Sequence, residues 1–208
     1  MTDSIIFDLD GTLWDSSRSV AESWQRTLRE YYDVGAVVTA SDVAGIMGMT
    51  FAQITSALFS PYGDSAEEIA QRCMREECEY ITVHGGRLYD GIEKVLKALS
   101  KEHRLFIVSN CQLGYIKSFL AYTGFSKYFT DYIEQASTGL SKGENIRLII
   151  ERHALKSPVY IGDTASDKAS AAFAGIPFIY ASYGFGSLEG ETLSVSVPSE
   201  LPGVIASL

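Results

Sequence analysis

The chain has 208 residues, 46% of them hydrophobic, which is enough apolar content to bury a sizeable core and to exclude a disordered polymer. Its net charge of −9 offers no general basic field for a polyphosphate backbone, so nucleic acid is excluded as the main partner. Nowhere do about eighteen apolar residues run together, and the start, Met1-Thr2-Asp3-Ser4, is acidic with too short an apolar run for a signal peptide. A soluble, cytoplasmic protein with no membrane partner is expected, as a monomer or homodimer. Cys73, Cys78 and Cys111 are odd in number and not spaced as a metal knuckle, so reduced thiols are expected.

In chain order, the first element is the apolar run Ile5-Ile6-Phe7, a buried strand that ends in Asp8-Leu9-Asp10-Gly11-Thr12-Leu13. Side chains alternate faces along a strand, so Asp8 and Asp10 can converge on one side. At ~4 Å and an effective dielectric of ~20 two such anions repel by about 4 kcal/mol, and a fold keeps them only with a metal, a cation or a shared proton. Gly11 permits a sharp turn and a close approach to ligand, and the Thr12 hydroxyl can bond back to hold the turn.

Val20, Trp24, Leu28 and Tyr31 then recur at helical spacing across Ser17 to Tyr32. Two further helices are predicted at Ser41 to Met47 and Thr50 to Leu58, around the glycine-punctuated loop Gly45-Ile46-Met47-Gly48-Met49-Thr50-Phe51. A fourth starts at Asp64, where Glu67 completes a capping-box spacing, and runs to Val83. Gly85-Gly86 ends this helical stretch. Methionine and aromatic stripes on such helices read as plain core, and Trp24, Tyr31 and Met74 take that reading.

Beyond it helix and strand alternate. Helices are predicted at Gly91 to Lys101, Gln112 to Tyr122, Ser141 to His153 and Ala165 to Ala174. Strands fall at Leu105 to Val108, Tyr132 to Glu134, Val159 to Ile161 and Phe178 to Tyr180. That alternation implies an α/β fold, a parallel sheet covered on both faces, with ligands at the carboxyl ends of the strands.

Polar residues gather at those ends. Ser109-Asn110 closes a strand before a helix, where it either caps the helix or binds a phosphate. Lys142 stands just inside the helix that Ser141 and Glu144 cap; a cation at the positive end of a helix dipole is out of place unless it faces a strong anion. Asp163 and Asp167 lie four apart at a strand-to-helix junction, where both could point towards one cation or serve as an N-cap and a surface acid. His84, His103 and His153 have no companions at ligand spacing and read as structural. Cys111, next to Ser109-Asn110, is either a buried small apolar residue or an oxidation-sensitive thiol.

The run Ile-Ile-Phe-Asp-Leu-Asp-Gly-Thr-Leu, followed in order by Ser109, by Lys142 and by Gly162-Asp163 with Asp167, resembles the four motifs of the haloacid dehalogenase superfamily, in its phosphoglycolate-phosphatase-like branch. The resemblance implies a Rossmann-like core from residues 1–15 and 86–208 and an inserted all-helical cap from 16–85. It also implies Mg2+ as cofactor and a small phosphorylated metabolite as substrate, hydrolysed through an aspartyl-phosphate. Asp8 would be the nucleophile and Asp10 the general acid and base, with Ser109 and Lys142 holding the transferring group. Asp8, Asp163 and Asp10, the last through its backbone carbonyl, would hold the metal, with Asp167 a ligand or an orienter. Gly11, Thr12, Asn110, Met49 and Phe51 complete the expected substrate contacts. Halide-releasing relatives lack an acid two residues after the nucleophile, so Asp10 implies a phosphate ester. Sugar-phosphate mutases with this cap often have arginine where Phe51 stands; Arg18, Arg72 or Arg75 could supply that cation, which keeps a mutase, or a non-catalytic phosphate-binding module, as the alternative. Gly143 departs from the proline of many relatives, and Tyr183-Gly184-Phe185-Gly186 resembles their loop after the last strand.

Overall fold

The structure, a computed structural model, describes residues 2–32, 37–190 and 192–208; Met1 of the acidic start lies outside them. Its first part runs β1 (Ser4–Phe7), β2 (Trp14–Asp15), α1 (Ser17–Tyr32), α2 (Ala40–Ala44), α3 (Phe51–Ile54), α4 (Ala66–His84) and β3 (Arg87–Leu88). There follow α5 (Ile92–Leu99), β4 (Arg104–Ser109), α6 (Tyr115–Thr123), β5 (Phe129–Glu134), α7 (Gln135–Thr138) and α8 (Lys142–His153). The chain closes with β6 (Pro158–Gly162), α9 (Ala165–Ala174), β7 (Phe178–Ala181), β8 (Ser194–Val195) and α10 (Leu201–Ala206).

β1 explains the sheet. Ile5, Ile6 and Phe7 are all fully buried, so the strand reads as a continuous apolar run rather than an alternating one. Ile5 and Phe7 join one core with Leu105, Ile107, Val159 and Ile161, while Ile6 joins a second with Phe106, Val108, Tyr160 and Ile146. The two cores are the two faces of one parallel sheet, ordered β5-β4-β1-β6-β7-β8. From β1 the chain builds outward first through β4 and β5, then on the other side through β6, β7 and β8. The reversal of direction falls at β1, and in such Rossmann-like sheets the ligand crevice opens at the carboxyl ends of the strands flanking it.

α1 and α9 occupy the predicted residues, and α8 runs through Gly143 unbroken. Elsewhere local competition moved the boundaries. The helix expected from Ser41 to Met47 is the shorter α2, because Thr39 and Asp42 form a capping box ahead of it. Thr50 does start α3, with Gln53 reaching back to its N–H, but Thr55–Phe59 then winds as a π-helix. The Thr55 hydroxyl donates to Phe51 O at 2.9 Å, a side-chain bond that competes with the helical ladder. Asp64 caps nothing, since a 3-10 turn over Ser60–Ser65 absorbs it and α4 begins at Ala66. α6 starts at Tyr115 rather than Gln112 because the Glu134 carboxylate receives the N–H groups of Gly114 and Ile116, each at 2.9 Å, and so fixes the first turn.

β2 and β3 went unpredicted, as did β8 and α10. Two-residue strands carry no period to read. Trp14 pairs with Leu88 and Asp15 with Arg87 in an antiparallel ribbon, so the chain leaves for α1 and returns from α4 along neighbouring paths. Between them α1 packs along α4, and the apolar residues of both are continuous with the core on one face of the sheet. No helix among the described residues is long and apolar enough to cross a membrane.

Candidate active site

Three remote segments meet at the end of β1. Asp8 follows β1, Lys142 opens α8, and Asp163 and Asp167 flank the start of α9. The Lys142 side chain is sealed from solvent, with Nζ 2.7 Å from Asp167 Oδ1 and 3.0 Å from Asp8 Oδ1. The contact to Asp8 is an ion pair off the line of a hydrogen bond, so that oxygen keeps a lone pair unused. Burial would lower the Lys142 pKa, but the charges of Asp167 and Asp8 outweigh it and hold the amine above its ordinary value, cationic. Burial pushes Asp8 up; Lys142 pulls against it, and the charges of Asp167 and Asp163 add to the rise.

Asp8, Asp163 and Asp167 each present a carboxylate oxygen, all within 4.8 Å of one another. Their surroundings divide the work. Asp167 Oδ2 accepts from the N–H groups of Asp163 and Thr164 and from the Thr164 hydroxyl, while Oδ1 takes Lys142 and the Tyr160 hydroxyl. Asp163 is held by the loop after β7: its Oδ2 accepts from the N–H of Phe185 at 2.7 Å and of Gly186 at 3.3 Å, and its Oδ1 is buried with no donor. Burial first, then the charge of Asp167, lifts Asp163 to about 6. Two glycines make the approach possible. A Cβ on Gly11, at φ +82°, would stand 2.1 Å from Asp163 Oδ2, and one on Gly184 would stand 2.3 Å from Asp163 Cβ. The Tyr183-Gly184-Phe185-Gly186 run is therefore the cradle of an acid.

Asp10 corrects a geometric expectation. It lies beyond the end of β1, in a turn where strand alternation no longer applies, and its carboxylate does not join the acid cluster. Oδ1 accepts instead from Ser16 Oγ at 2.6 Å and from Trp14 Nε1 and Tyr115 Oη, each at 2.9 Å. Burial raises Asp10 to about 6 against the pull of these three bonds, which poises it to exchange a proton near neutrality. Thr12 is a second correction: its hydroxyl is buried without a partner, and the turn is held by the backbone. The N–H groups of Thr12 and Leu13 donate to Leu9 O and that of Gly11 to Trp14 O, so none of the three is free for a phosphate.

Asp8, Asp10, Ser109, Asn110 and Met49 line one cavity between the sheet and the helical stretch, and Phe51 lines the adjoining outer cleft of about 350 Å³. Asn110 ties the two layers, its Nδ2 donating to Gly48 O at 3.0 Å. Burial pushes the Cys111 thiol well above its ordinary value, the behaviour of a buried apolar residue rather than a reactive thiolate. Of the three candidate cations, Arg18 pairs with Glu22 and Arg72 lies over the Tyr31 ring; Arg75 lines the outer cleft. Tyr31 itself is half exposed, not core, and Trp24 and Met74 are buried and also wall the cavity.

Glu77, Gln112 and Tyr115 went unnoticed in the sequence, yet all three line the cavity. Glu77 is buried, receiving Trp24 Nε1 from α1 and Gln112 Nε2 from the sheet side, the latter at 2.9 Å. Burial carries its pKa to about 8 against those two bonds, with the Asp10 charge adding to the rise. A signal was there to find: Ile69, Cys73, Glu77 and Ile81 recur every fourth residue, and all four are buried, so the glutamate sits in an apolar stripe.

Comparison with known proteins agrees with this geometry. The model of the haloacid dehalogenase-like hydrolase family matches residues 5–181. The chain is 29% identical over 198 residues to a phosphoglycolate phosphatase of Cupriavidus necator, an alignment covering 88% of this chain and 81% of that one. A phosphoglycolate phosphatase of Rhodobacter capsulatus is 28% identical over 216 residues, covering 99% and 97%. The crystal structure of a predicted phosphatase from Clostridium acetobutylicum superposes with a TM-score of 0.80 at 26% identity over the whole of both chains. With a match that spans β1 to β7 and includes every acid of the cluster, the chain belongs to the haloacid dehalogenase-like hydrolases.

Proposed function

We propose that this hydrolase cleaves a small phosphomonoester, with Mg2+, by way of a phosphorylated Asp8. The observation that carries the reading is Lys142, a sealed ammonium held between Asp8 and Asp167 at the carboxyl end of the central strand. A carboxylate attacking a phosphate dianion meets like-charge repulsion, and a fixed cation beside the nucleophile offsets it.

The acid cluster suits a divalent metal. Its donors are all oxygens, and Asp163 Oδ1 is a buried acceptor without a donor, which a hard cation would satisfy. Asp8, Asp163 and the backbone carbonyl of Asp10 would hold Mg2+, while Asp167, whose two oxygens already serve Lys142, Tyr160 and the start of α9, orients the lysine. When bound, the ion supplies positive charge against the phosphoryl oxygens.

The chain's own groups do the rest. Asp8 attacks phosphorus in line and the bond to the leaving oxygen breaks, with Asp10 donating the proton that oxygen needs; Asp10 then takes a proton from the water that hydrolyses the aspartyl-phosphate. Ser109 and Lys142 hold the transferring oxygens. The helical stretch serves as a cap that keeps bulk water from the intermediate, and Met49 on the cavity wall touches the leaving group. Free thiols at Cys73, Cys78 and Cys111 fit a cytoplasmic setting.

The test is steady-state release of inorganic phosphate from a panel of small esters, with Mg2+ and again with chelator. Metal-dependent release from at least one ester is expected. No turnover of any ester would overturn hydrolysis, and transfer without free phosphate would favour the mutase alternative.

A further inference from the structure

The cavity above Asp8 has an unbalanced wall. Three of its side chains are acids, the buried Asp8 and Glu77 and the partly buried Asp10, and among the described residues no lysine or arginine lines it. Lys142 pairs with Asp8 and Asp167 at the phosphoryl end and does not reach this wall. Apart from Ser109, at the phosphoryl end, the donors of the wall are spent: Tyr115 gives its hydroxyl proton to Asp10 or Ser16, Trp24 gives its indole N–H to Glu77, and Gln112 gives its amide to Glu77 and Met74 O. Asn110 adds an independent mark, for its Oδ1 is buried and accepts from nothing. The wall away from the nucleophile thus offers acceptors and lacks donors.

Glu77 sharpens the point. Both its partners are neutral N–H groups, which occupy about half of the lone-pair directions of a carboxylate and bring no countercharge. An ionised Glu77 in this apolar surround is stabilised fully only by a cation that enters with the ligand. Arg75 does not fill that need. It stands two positions away on α4, about 200° around the helix, and faces the outer cleft from an exposed position.

We propose that this wall selects phosphate esters of amino alcohols: the ammonium of the leaving group is received by the Glu77 carboxylate and Asn110 Oδ1 while the phosphoryl group lies on Asp8. The inference rests on the hydrolase reading above and names its substrate class. A leaving group that carries a carboxylate, as glycolate does, would bring a negative charge to a wall that offers it no lysine or arginine. Glu77 acts here as a specificity-determining residue and takes no part in bond making.

Three esters of similar size separate the possibilities: 2-aminoethyl, propyl and carboxymethyl phosphate, each assayed for phosphate release by the full chain with Mg2+ at pH 7. In the wild type, kcat/KM for the aminoethyl ester exceeds that for the propyl ester by about tenfold or more, with the carboxymethyl ester lowest. In Glu77→Gln the aminoethyl-to-propyl ratio falls towards one. The wild-type series stands without the variant, so a poorly folded Glu77→Gln leaves the question answerable. A propyl or carboxymethyl ester turned over as well as the aminoethyl ester, or a ratio that Glu77→Gln does not move, overturns the selection while leaving hydrolysis intact. Failure on all three with release from another ester overturns the selection alone; failure across the wider panel as well overturns the hydrolase reading itself.

Discussion

Lys142 and Glu77 are ionisable side chains buried to nearly the same degree, at 3% and 4% exposure, the one paired with Asp8 and the other on the wall of the cavity that Asp8 also lines, yet they are compensated in different ways. The lysine has two carboxylates at 2.7 and 3.0 Å; the glutamate has an indole and an amide N–H. Charge matched by charge fixes the ionisation of Lys142, whose amine is held cationic. Charge matched by dipoles leaves Glu77 near its midpoint around pH 8. The floor of the site is committed before substrate arrives, and the roof is completed by what arrives.

The most drastic way to break the floor is to neutralise Asp8, the proposed nucleophile. Asp8→Asn is expected to lower steady-state phosphate release by about 10⁴-fold or more with an unchanged far-UV circular dichroism spectrum. Appreciable turnover, with deamidation excluded by mass spectrometry, would take the nucleophile away from Asp8. Next comes Lys142→Met, which strands Asp8 and Asp167 as buried charges and is expected to cost about 3–5 kcal/mol in urea denaturation at pH 7. A cost below about 1 kcal/mol would mean that the floor is not held by ion pairing.

The roof is tested by its pH dependence. The folded pKa of Glu77, about 8, lies above the ordinary glutamate value of 4.5, so between those limits the folded state holds a proton that the unfolded state has lost. Its contribution is present in full below about pH 4.5 and is lost as pH rises through about 8. Wild type should therefore lose about 3–4 kcal/mol relative to Glu77→Gln between pH 5 and pH 8, read as diverging melting temperatures. Parallel curves would show that Glu77 is ionised throughout. The last perturbation is Gly184→Ala, whose methyl would meet both Asp163 Cβ and the Gly11 carbonyl oxygen at 2.3 Å. About tenfold weaker Mg2+ binding is expected by titration calorimetry, together with a lower melting temperature measured in chelator, because the Gly11 backbone must give way.

The same contrast separates what the residues announced in advance from what they concealed. Asp8, Ser109, Lys142 and Asp163 each sit at a strand end or helix start, so a local pattern of apolar run and turn placed all four where the sheet gathers its ligands. Strand and helix order was legible for the same reason, since the periods of Ile5-Ile6-Phe7 and of α1 are local. What stayed hidden depends on partners far along the chain. The aim of the Asp10 carboxylate is decided by Tyr115, the start of α6 by Glu134, and the seat of Asp163 by a loop more than twenty residues later. Glu77 lay between these cases: its place in an apolar stripe was visible, but not Trp24 and Gln112, which make that place habitable.

The ribbon of β2 and β3 has a consequence of its own. Because Trp14-Asp15 and Arg87-Leu88 lie side by side and antiparallel, everything from Ser16 to Gly86 stands where an ordinary hairpin would need only a short turn. The helices are, in effect, a turn grown to the size of a small protein. Replacing them with Asn-Gly is expected to keep the six-stranded sheet and to leave Asp8 and Lys142 bare to water.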